Sequence, residues 1–146
     1  MVFLVVELEQ SVYVECYRTN EQRTRFTLDI KMKPRMNTEV AKKLFREISR
    51  EWKLTPGEAA ALLGGDVHVD SRQLTEDELL RISYISGIYG SLQTLFADEA
   101  EWRDWIRKPN HDWEDQSAME LMVSGKVEDL KKVRNYLASW SQQHNL

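Results

Sequence analysis

The stretch from Leu74 to Phe96 reads LTEDELLRISYISGIYGSLQTLF and begins with a strong helix start. Thr75 and Glu78 have the spacing of a capping box, and Leu74 and Leu79 have the spacing of a hydrophobic staple. Apolar residues then occur around most of the helix circumference. One side carries Leu79, Ile82, Tyr89, Leu92 and Phe96, and the flank carries Leu80, Tyr84, Ile88 and Leu95. Because a helix that is apolar all round is covered on several sides, we predict that this is the central, buried helix of a mainly α-helical protein.

A helix is also predicted before this stretch, from Thr38 to Trp52. Val40, Leu44 and Ile48 recur every four residues up to Trp52, with Ala41 and Phe45 beside them, which defines an apolar face. The basic residues fall on another stripe of the same helix. We therefore expect an exposed basic face that is made of Lys42, Arg46, Arg50 and Lys53.

A second, shorter helix follows after a very short turn, in KLTPGEAAALLGG at positions 53–65. Thr55 can cap this helix, and Glu58 completes a capping box with it. Pro56 suits the first helical position, and Gly64 suits a helix end. Two helices joined by so short a turn are typical of the opening of a helix-turn-helix.

The segment in which a recognition helix should follow reads GGDVHVDSRQ, residues 64–73. Asp66 and Asp70 oppose phosphate binding, Arg72 alone supports it, and the two glycines weaken any long helix. We predict a degenerate helix-turn-helix in residues 36–74. DNA binding stays open as the second hypothesis, with these candidate contacts: Lys42, Lys43, Arg46, Arg50, Lys53 and Arg72.

The last third of the chain predicts three further helices. The first contains Trp102, Trp105 and Ile106 and is stopped by Pro109. The second starts at a capping box formed by Ser117 and Glu120 and is closed by a glycine. The last is amphipathic, with an apolar face of Val127, Leu130, Val133, Leu137 and Trp140. The polar segment 141–146, SQQHNL, is predicted to be a mobile tail.

The first 33 residues have an alternating pattern that is typical of strands. Val12, Val14 and Cys16 alternate with polar residues, and so does a second run from Phe26 to Met32. The segment RTNEQRT is a polar connector between the two runs. We predict a short N-terminal β-hairpin whose first strand the pattern does not settle.

Composition and charge exclude several classes of protein. A chain of 146 residues is one average domain, with or without a small appendage. The single cysteine, Cys16, excludes an internal disulfide and a zinc site built from cysteines, which fits a reducing cytoplasm. The apolar run Val2 to Val6 is too short for a membrane span and lacks the flanks of a signal peptide. Residues 31–53 carry eight basic and three acidic side chains, whereas residues 54–146 carry nine basic and sixteen acidic ones.

No catalytic or cofactor pattern is present in the sequence. The three histidines do not form an i, i+4 pair, and the two adjacent glycines at 64–65 lack the P-loop pattern. His111, Asp112 and Asp115 could form a metal site, but in a polar loop they are more typical of turn and cap residues. We therefore predict no enzyme activity, no metal site and no cofactor.

Four of the five tryptophans lie in the last third of the chain. Trp102, Trp105 and Trp140 have helical spacing, which favours the core. Tryptophan, tyrosine and arginine also dominate binding hot spots, and a chain of this size has a limited interior. We expect some of the five tryptophans at an interface with another protein.

Four blocks follow one another within residues 38–140: REWKLTPGEAAALLG, LTEDELLRISYISGIYGSLQTLF, EWRDWIRKPNHDW and SAMELMVSGKVEDLKKVRNYL. By these blocks, residues 38–140 resemble the Xre/MbcA/ParS-type antitoxins. The residues that match best are Arg107, Pro109, Asn110, Ser117, Gly125, Val133, Arg134, Tyr136 and Leu137.

The resemblance implies a bacterial, non-enzymatic antitoxin encoded beside a RES-domain toxin that degrades NAD or transfers ADP-ribose. It implies a helical toxin-binding domain in residues 75–140, after the N-terminal extension 1–35 and the helix-turn-helix region, with residues 141–146 as a tail that reaches toward the NAD pocket. It also implies a homodimer that can bind operator DNA. The expected toxin-binding residues are Trp113, Arg134, Tyr136, Leu137, Trp140, Gln143, His144, Asn145 and Leu146.

The chain departs from the family pattern in three places. The β-like segment 1–33 precedes the part that resembles the family. Many relatives have a glycine-containing step after the Pro-Asn turn, and this chain has Glu114, Asp115 and Gln116 there. Ala118 stands where proline is common. We therefore expect a different local loop at this turn.

Overall fold

The computed structural model describes residues 3–8, 11–16, 37–65 and 71–144. The chain separates into two compact units, residues 1–36 and 37–146. In the first unit, β1 (Phe3–Leu8) pairs antiparallel with β2 (Ser11–Cys16), and Leu8 lies opposite Ser11. The predicted alternation from Val12 to Cys16 thus lies in β2, whereas the predicted strand from Phe26 to Met32 lies outside the described residues.

The second unit is helical, as the sequence predicts. Its helices are α1 (Thr38–Glu51), α2 (Pro56–Leu62), α3 (Glu76–Leu95), α4 (Glu99–Trp105), α5 (Ala118–Met122) and α6 (Val127–His144), with a 3₁₀ turn at His111–Trp113.

All three predicted capping boxes are present. At the start of α3, the Thr75 backbone N–H donates to the Glu78 carboxylate at 2.8 Å, and the Glu78 N–H donates to the Thr75 hydroxyl at 3.2 Å. The same reciprocal bonds start α2 and α5. Each box satisfies backbone donors that the first helical turn leaves without partners, so the starts of these helices are fixed by residues that are neighbours in sequence.

The central position predicted for α3 is confirmed, because α3 packs against α1, α4 and α6. Ile85, Ile88 and Leu92 of α3 have no exposed surface, and Leu130 and Leu137 of α6 are equally buried. Each such side chain contributes roughly 1.5–3 kcal/mol on burial. The prediction that Leu80, on the flank of this helix, is buried is wrong, since its exposed fraction is 45%.

The apolar face of α1 is rotated from the predicted one. Val40 is 58% exposed, whereas Ala41, Ile48 and Trp52 are almost fully buried. At 3.6 residues per turn, a strict four-residue repeat drifts around the helix, so Val40 lies roughly 120° from Trp52. Ala41 lies only about 20° from Trp52, because eleven residues are close to three whole turns.

Lys42 of α1 does not belong to an exposed basic face, because its side chain is only 7% exposed. Its Nζ lies 3.3 Å from the carboxylate of Glu39, one turn earlier. A buried ammonium requires such a partner. Arg46, Arg50 and Lys53 are exposed, as predicted, and Lys43 is also exposed.

The predicted mobile tail is wrong for residues 141–144, which continue α6 to His144. The Ser141 hydroxyl donates to the Leu137 carbonyl at 3.0 Å, within the helix. This segment contains no glycine or proline that would end a helix. Asn145 and Leu146 lie outside the described residues.

The helix pair α1–α2 and the C-terminal helices belong to one compact unit. The Tyr89 ring of α3 lies 6.1 Å from the Trp52 ring and 5.3 Å from the Trp102 ring, measured between centroids. Gly64 and Gly65 end α2 with positive φ angles of 92° and 113°. Residues 66–70 of the predicted degenerate recognition segment lie outside the described residues.

Arg107 ties the end of α4 to the turn between α1 and α2. Its two terminal nitrogens donate to the two Glu58 carboxylate oxygens at 2.8 and 3.1 Å, and Nη2 also donates to the Trp52 carbonyl at 3.2 Å. The Arg107 hydrogen bonds hold the pKa of Glu58 at about 2, below its usual 4.5. Paired hydrogen bonds of this kind fix orientation as well as distance.

We expect Glu58→Gln to lower the free energy of unfolding at neutral pH by about 2 kcal/mol, a figure reduced because Arg107 is partly exposed. A carboxyl whose pKa is depressed in the folded chain stabilises the fold above its unfolded pKa, and the stabilisation is lost as the pH falls toward the folded pKa. The difference in unfolding free energy between the variant and the original chain should therefore shrink as the pH falls from 4.5 to about 2. Urea unfolding at several pH values measures it.

Glu120→Gln is the matched control. Glu120 also completes a capping box, and its pKa is lowered by Ser117 alone. Glutamine can keep the capping hydrogen bond in both variants. If the unfolding free energies of both variants depend on pH in the same way, the ion pair between Glu58 and Arg107 is not the source of that pH dependence.

Candidate functional site

The turn between α4 and α5 is a closed loop built on Asn110. The side-chain oxygen of Asn110 accepts from the Asp112 N–H at 3.0 Å. The backbone carbonyl of Asn110 accepts from the Asp115 N–H at 3.0 Å, and the backbone N–H of Asn110 donates to the Gln116 carbonyl at 3.1 Å. Pro109 and Ser117 form an antiparallel bridge across the base of the loop. These bonds close the loop and fix the 3₁₀ turn within it.

Four aromatic rings meet where this loop packs on α4 and α6: Trp105, Trp113, Tyr136 and Trp140. The Trp113 and Tyr136 centroids are 4.7 Å apart. The Trp105 centroid lies 6.1 Å from Trp113, 6.3 Å from Tyr136 and 6.4 Å from Trp140. Pairs of rings at these separations attract one another beyond their burial.

These rings border a cavity of about 330 Å³, which we name the aromatic groove. Its lining comprises Trp105, Lys108, Pro109, Asn110, His111, Asp112, Trp113, Ala118, Tyr136 and Trp140. Trp113 is buried, whereas Trp105, Tyr136 and Trp140 are half-buried. Trp102 and Trp52 lie in the core. The tryptophans thus divide between the core and a partly open surface.

The rim of the aromatic groove is polar. The Tyr136 hydroxyl donates to the Asp112 carboxylate at 2.8 Å. Burial, with the carboxylate beside it, raises the pKa of Tyr136, so the phenol stays protonated at neutral pH. His111 Nδ1 lies 2.6 Å from the Asp115 carboxylate, and both side chains are exposed. Within the described residues, no group of three or more acidic, histidine or cysteine side chains is arranged to hold a metal ion.

The structure brings only part of the predicted binding set together. Trp113, Tyr136 and Trp140 share the aromatic groove. Leu137 is fully buried in the core and is removed from any surface that a partner could contact. Gln143 is exposed near the end of α6, and His144 ends that helix.

Arg134 lies on another side of α6, against α3. Its guanidinium carbon is 5.8 Å from the centroid of the Tyr84 ring. A Cβ atom at Gly87 would come within 2.8 Å of Arg134 Nε, so the glycine leaves room for the side chain. Burial lowers the pKa of Arg134. Arg134 is therefore packed between two helices and does not line the aromatic groove.

The sequence does not indicate Trp105 and Asp112 as groove residues. The helical spacing of Trp105 favours the core, whereas the structure places its ring at the groove. The polar loop around Asp112 predicts a turn residue, and Asp112 reaches Tyr136, 24 positions later, only through the folded loop. The four-residue spacing of Trp105, Pro109 and Trp113 is the one sequence signal of the cluster.

Residues 91–141 match the sequence model of a family described as the antitoxin Xre/MbcA/ParS C-terminal toxin-binding domain. The chain belongs to this antitoxin family. All ten residues that line the aromatic groove fall inside the matched range. The antitoxin is also 33% identical over 100 residues to the uncharacterized protein y4oB of Sinorhizobium fredii (strain NBRC 101917 / NGR234), a match that covers 64% of this chain and 78% of the relative.

Family membership makes the antitoxin a regulatory binding protein of a toxin-antitoxin system, with a toxin as its partner. Among the helices that the structure describes, none combines the length and the apolar character needed to cross a membrane.

The loop of the antitoxin holds two consecutive non-glycine residues in the left-handed region. Glu114 has φ 56° and ψ 41°, and Asp115 has φ 64°. This conformation costs roughly 1–2 kcal/mol for a residue with a Cβ atom. This strain therefore lies in the loop that also carries His111, Asp112 and Trp113 of the groove lining.

We expect Glu114→Gly to raise the free energy of unfolding by up to about 1 kcal/mol, because relief of strain exceeds the extra chain entropy of glycine. Gln116→Gly is the control, since Gln116 is exposed in the same loop and has no positive φ. It should lower the unfolding free energy slightly. A lower unfolding free energy for Glu114→Gly in urea titrations would show that the loop is not strained there.

Proposed function

We propose that this antitoxin neutralises a RES-domain toxin that degrades NAD or transfers ADP-ribose, by binding the toxin directly and occluding its active site. The aromatic groove is the observation that carries the proposal. Three half-buried aromatic side chains meet inside the matched toxin-binding range. Tyrosine and tryptophan of this kind supply much of the energy in protein interfaces.

The charge of the chain supports the same partner. Residues 54–146 carry sixteen acidic and nine basic side chains. A toxin that binds NAD must attract a pyrophosphate, which favours a basic surface around its pocket. Opposite charges then steer the two proteins together and fix their orientation.

Helix α6 supplies the means of occlusion. Leu130, Val133 and Leu137 have no exposed surface, so this part of the helix is anchored in the core. The helix continues to His144, and Gln142 and Gln143 in its last turn are exposed. A rigid helix end loses less conformational entropy on binding than a mobile tail does. Residues 142–146 would enter the NAD pocket and block it sterically, without a catalytic group.

The test is co-purification with the RES-domain protein encoded beside this chain, followed by an assay of NAD consumption. The full chain should form a stable complex and suppress NAD loss. Deletion of residues 142–146 should leave the fold and the complex intact but restore NAD loss, because the aromatic groove precedes the deleted residues.

The two parts of the proposal can fail separately. If the shortened chain suppresses NAD loss as well as the full chain, residues 142–146 do not block the pocket. If two folded proteins form no complex, this toxin class is wrong as the partner.

A second candidate function is binding of operator DNA by a homodimer. Lys43, Arg46, Arg50 and Lys53 are exposed on α1 and just after it, which favours contact with phosphates. The candidate set is smaller than the sequence indicates, because Lys42 is buried and Arg72 donates to Glu78 at 2.6 and 2.9 Å. Val40 and Leu80 are exposed apolar residues that a second copy could cover.

We expect neutralisation of Lys43 and Arg50 to reduce the slope of log K against log salt by about two units, if both contact phosphates of the operator. Lys126→Gln and Lys131→Gln, in the C-terminal domain, form the matched double control. An unchanged slope in the Lys43 and Arg50 variant would identify α1 as a solvated helix face.

A further inference from the structure

The chemistry of the aromatic groove points to one kind of occupant. Its walls are the rings of Trp105, Trp113, Tyr136 and Trp140, and its rim carries the Asp112 carboxylate. Aromatic faces carry partial negative charge and attract cations, with tryptophan the strongest of them. A carboxylate at the rim adds a full negative charge. The same arrangement disfavours an anion.

The surroundings of the groove are also negative. Residues 98–115 carry seven acidic and three basic side chains. Two of these basic side chains are already paired: Arg103 with Glu51 and Glu99, and Arg107 with Glu58. Lys108 is the third, and it lines the groove. Because Lys108 is exposed, its long stem lets its ammonium turn to solvent.

The size of the groove limits what can enter it. A volume of about 330 Å³ is at the lower end of the range for ligand pockets, roughly 300–1,000 Å³. This space suits one long side chain rather than a helix. The apolar stem of lysine or arginine can lie on the aromatic rings while the charged end reaches the rim.

We propose that the aromatic groove receives a single cationic side chain, arginine or lysine, from the toxin, with its stem against Trp105 and Trp140 and its charge beside Asp112. This inference rests on the proposed function for the identity of the partner. The chemistry of the groove is independent of that partner and can be tested on the antitoxin alone.

The first experiment titrates the full chain with N-acetyl-arginine amide and follows the indole N–H signals of the tryptophans by NMR. The signals of Trp105 and Trp140 should shift saturably, with a dissociation constant on the order of 10 mM for so small a probe. Trp102 is buried in the core outside the groove, and its signal should not move. N-acetyl-norleucine amide, which has a similar stem and no charge, should bind at least several-fold more weakly.

Asp112→Asn tests the role of charge without changing the shape of the groove. The asparagine oxygen can still accept from Tyr136, and one negative charge is removed. Binding of the arginine probe should weaken by about fivefold, while binding of norleucine should not change. Asp104→Asn is the matched control, because Asp104 is an exposed carboxylate of α4 that does not line the groove.

The second experiment measures toxin affinity for Trp140→Leu and Trp140→Phe. Leucine removes the aromatic face and should weaken the complex at least tenfold, whereas phenylalanine keeps a face and should restore part of the affinity. Equal losses in the two folded variants would mean that the ring acts only by its size.

Three results would overturn the inference. Equal binding of norleucine and arginine would make the groove an apolar anchor. Groove signals that move with antitoxin concentration alone would make it an interface between copies of this chain. No shift with either probe would exclude a cation site. If the arginine probe binds as expected but the toxin does not bind, the proposed function fails and the cation site stands.

Discussion

The burial of α3 between α1 and α6 is the constraint on which the rest of the structure depends. Ile85, Ile88 and Leu92 have no exposed surface, so neither neighbouring helix can leave α3 without exposing large apolar side chains to water. Gly87 of α3 leaves room for the Arg134 side chain of α6, since a Cβ atom there would come within 2.8 Å of Arg134 Nε. The position of α6 on α3 in turn sets where Tyr136 can meet the loop after α4.

Two neighbouring faces of helix α6 have different surroundings. Leu130, Val133 and Leu137 face the core, and Tyr136 and Trp140 face the aromatic groove. At about 100° per residue, Tyr136 and Trp140 form a stripe directly beside the stripe of core residues, so the two sets cannot exchange places without a rotation of the whole helix. The core therefore fixes the position of the aromatic groove, and a substitution in one set affects the other only through the orientation of the helix.

Local chemistry made much of this fold predictable. The capping boxes that start α2, α3 and α5 each depend on two residues three positions apart, and the positive φ of Gly64 and Gly125 depends on one. The aromatic groove depends on residues that are distant in sequence, and no periodicity reports the path of the loop that brings Asp112 to Tyr136. The predicted face of α1 is wrong because a strict four-residue repeat drifts around a helix of 3.6 residues per turn. The predicted mobile tail is wrong because the polar residues after Trp140 include no glycine or proline that would end α6.

The hydrogen bonds of Arg107 join two regions that the sequence analysis had assigned to separate functions. Arg107 directly precedes Lys108 of the groove lining, and it holds both the Trp52 carbonyl and the Glu58 carboxylate at the turn between α1 and α2. The two regions are consequently not interchangeable modules. In a chimera, residues 91–141 of one relative would replace those of another. The contact between Arg107 and Glu58 is then kept only if the inserted range has an arginine at position 107 and the rest of the chain has a glutamate at position 58. Divergence toward a new toxin is therefore coupled to the α1–α2 turn, and the natural unit of exchange is the whole helical unit from residue 37 onward.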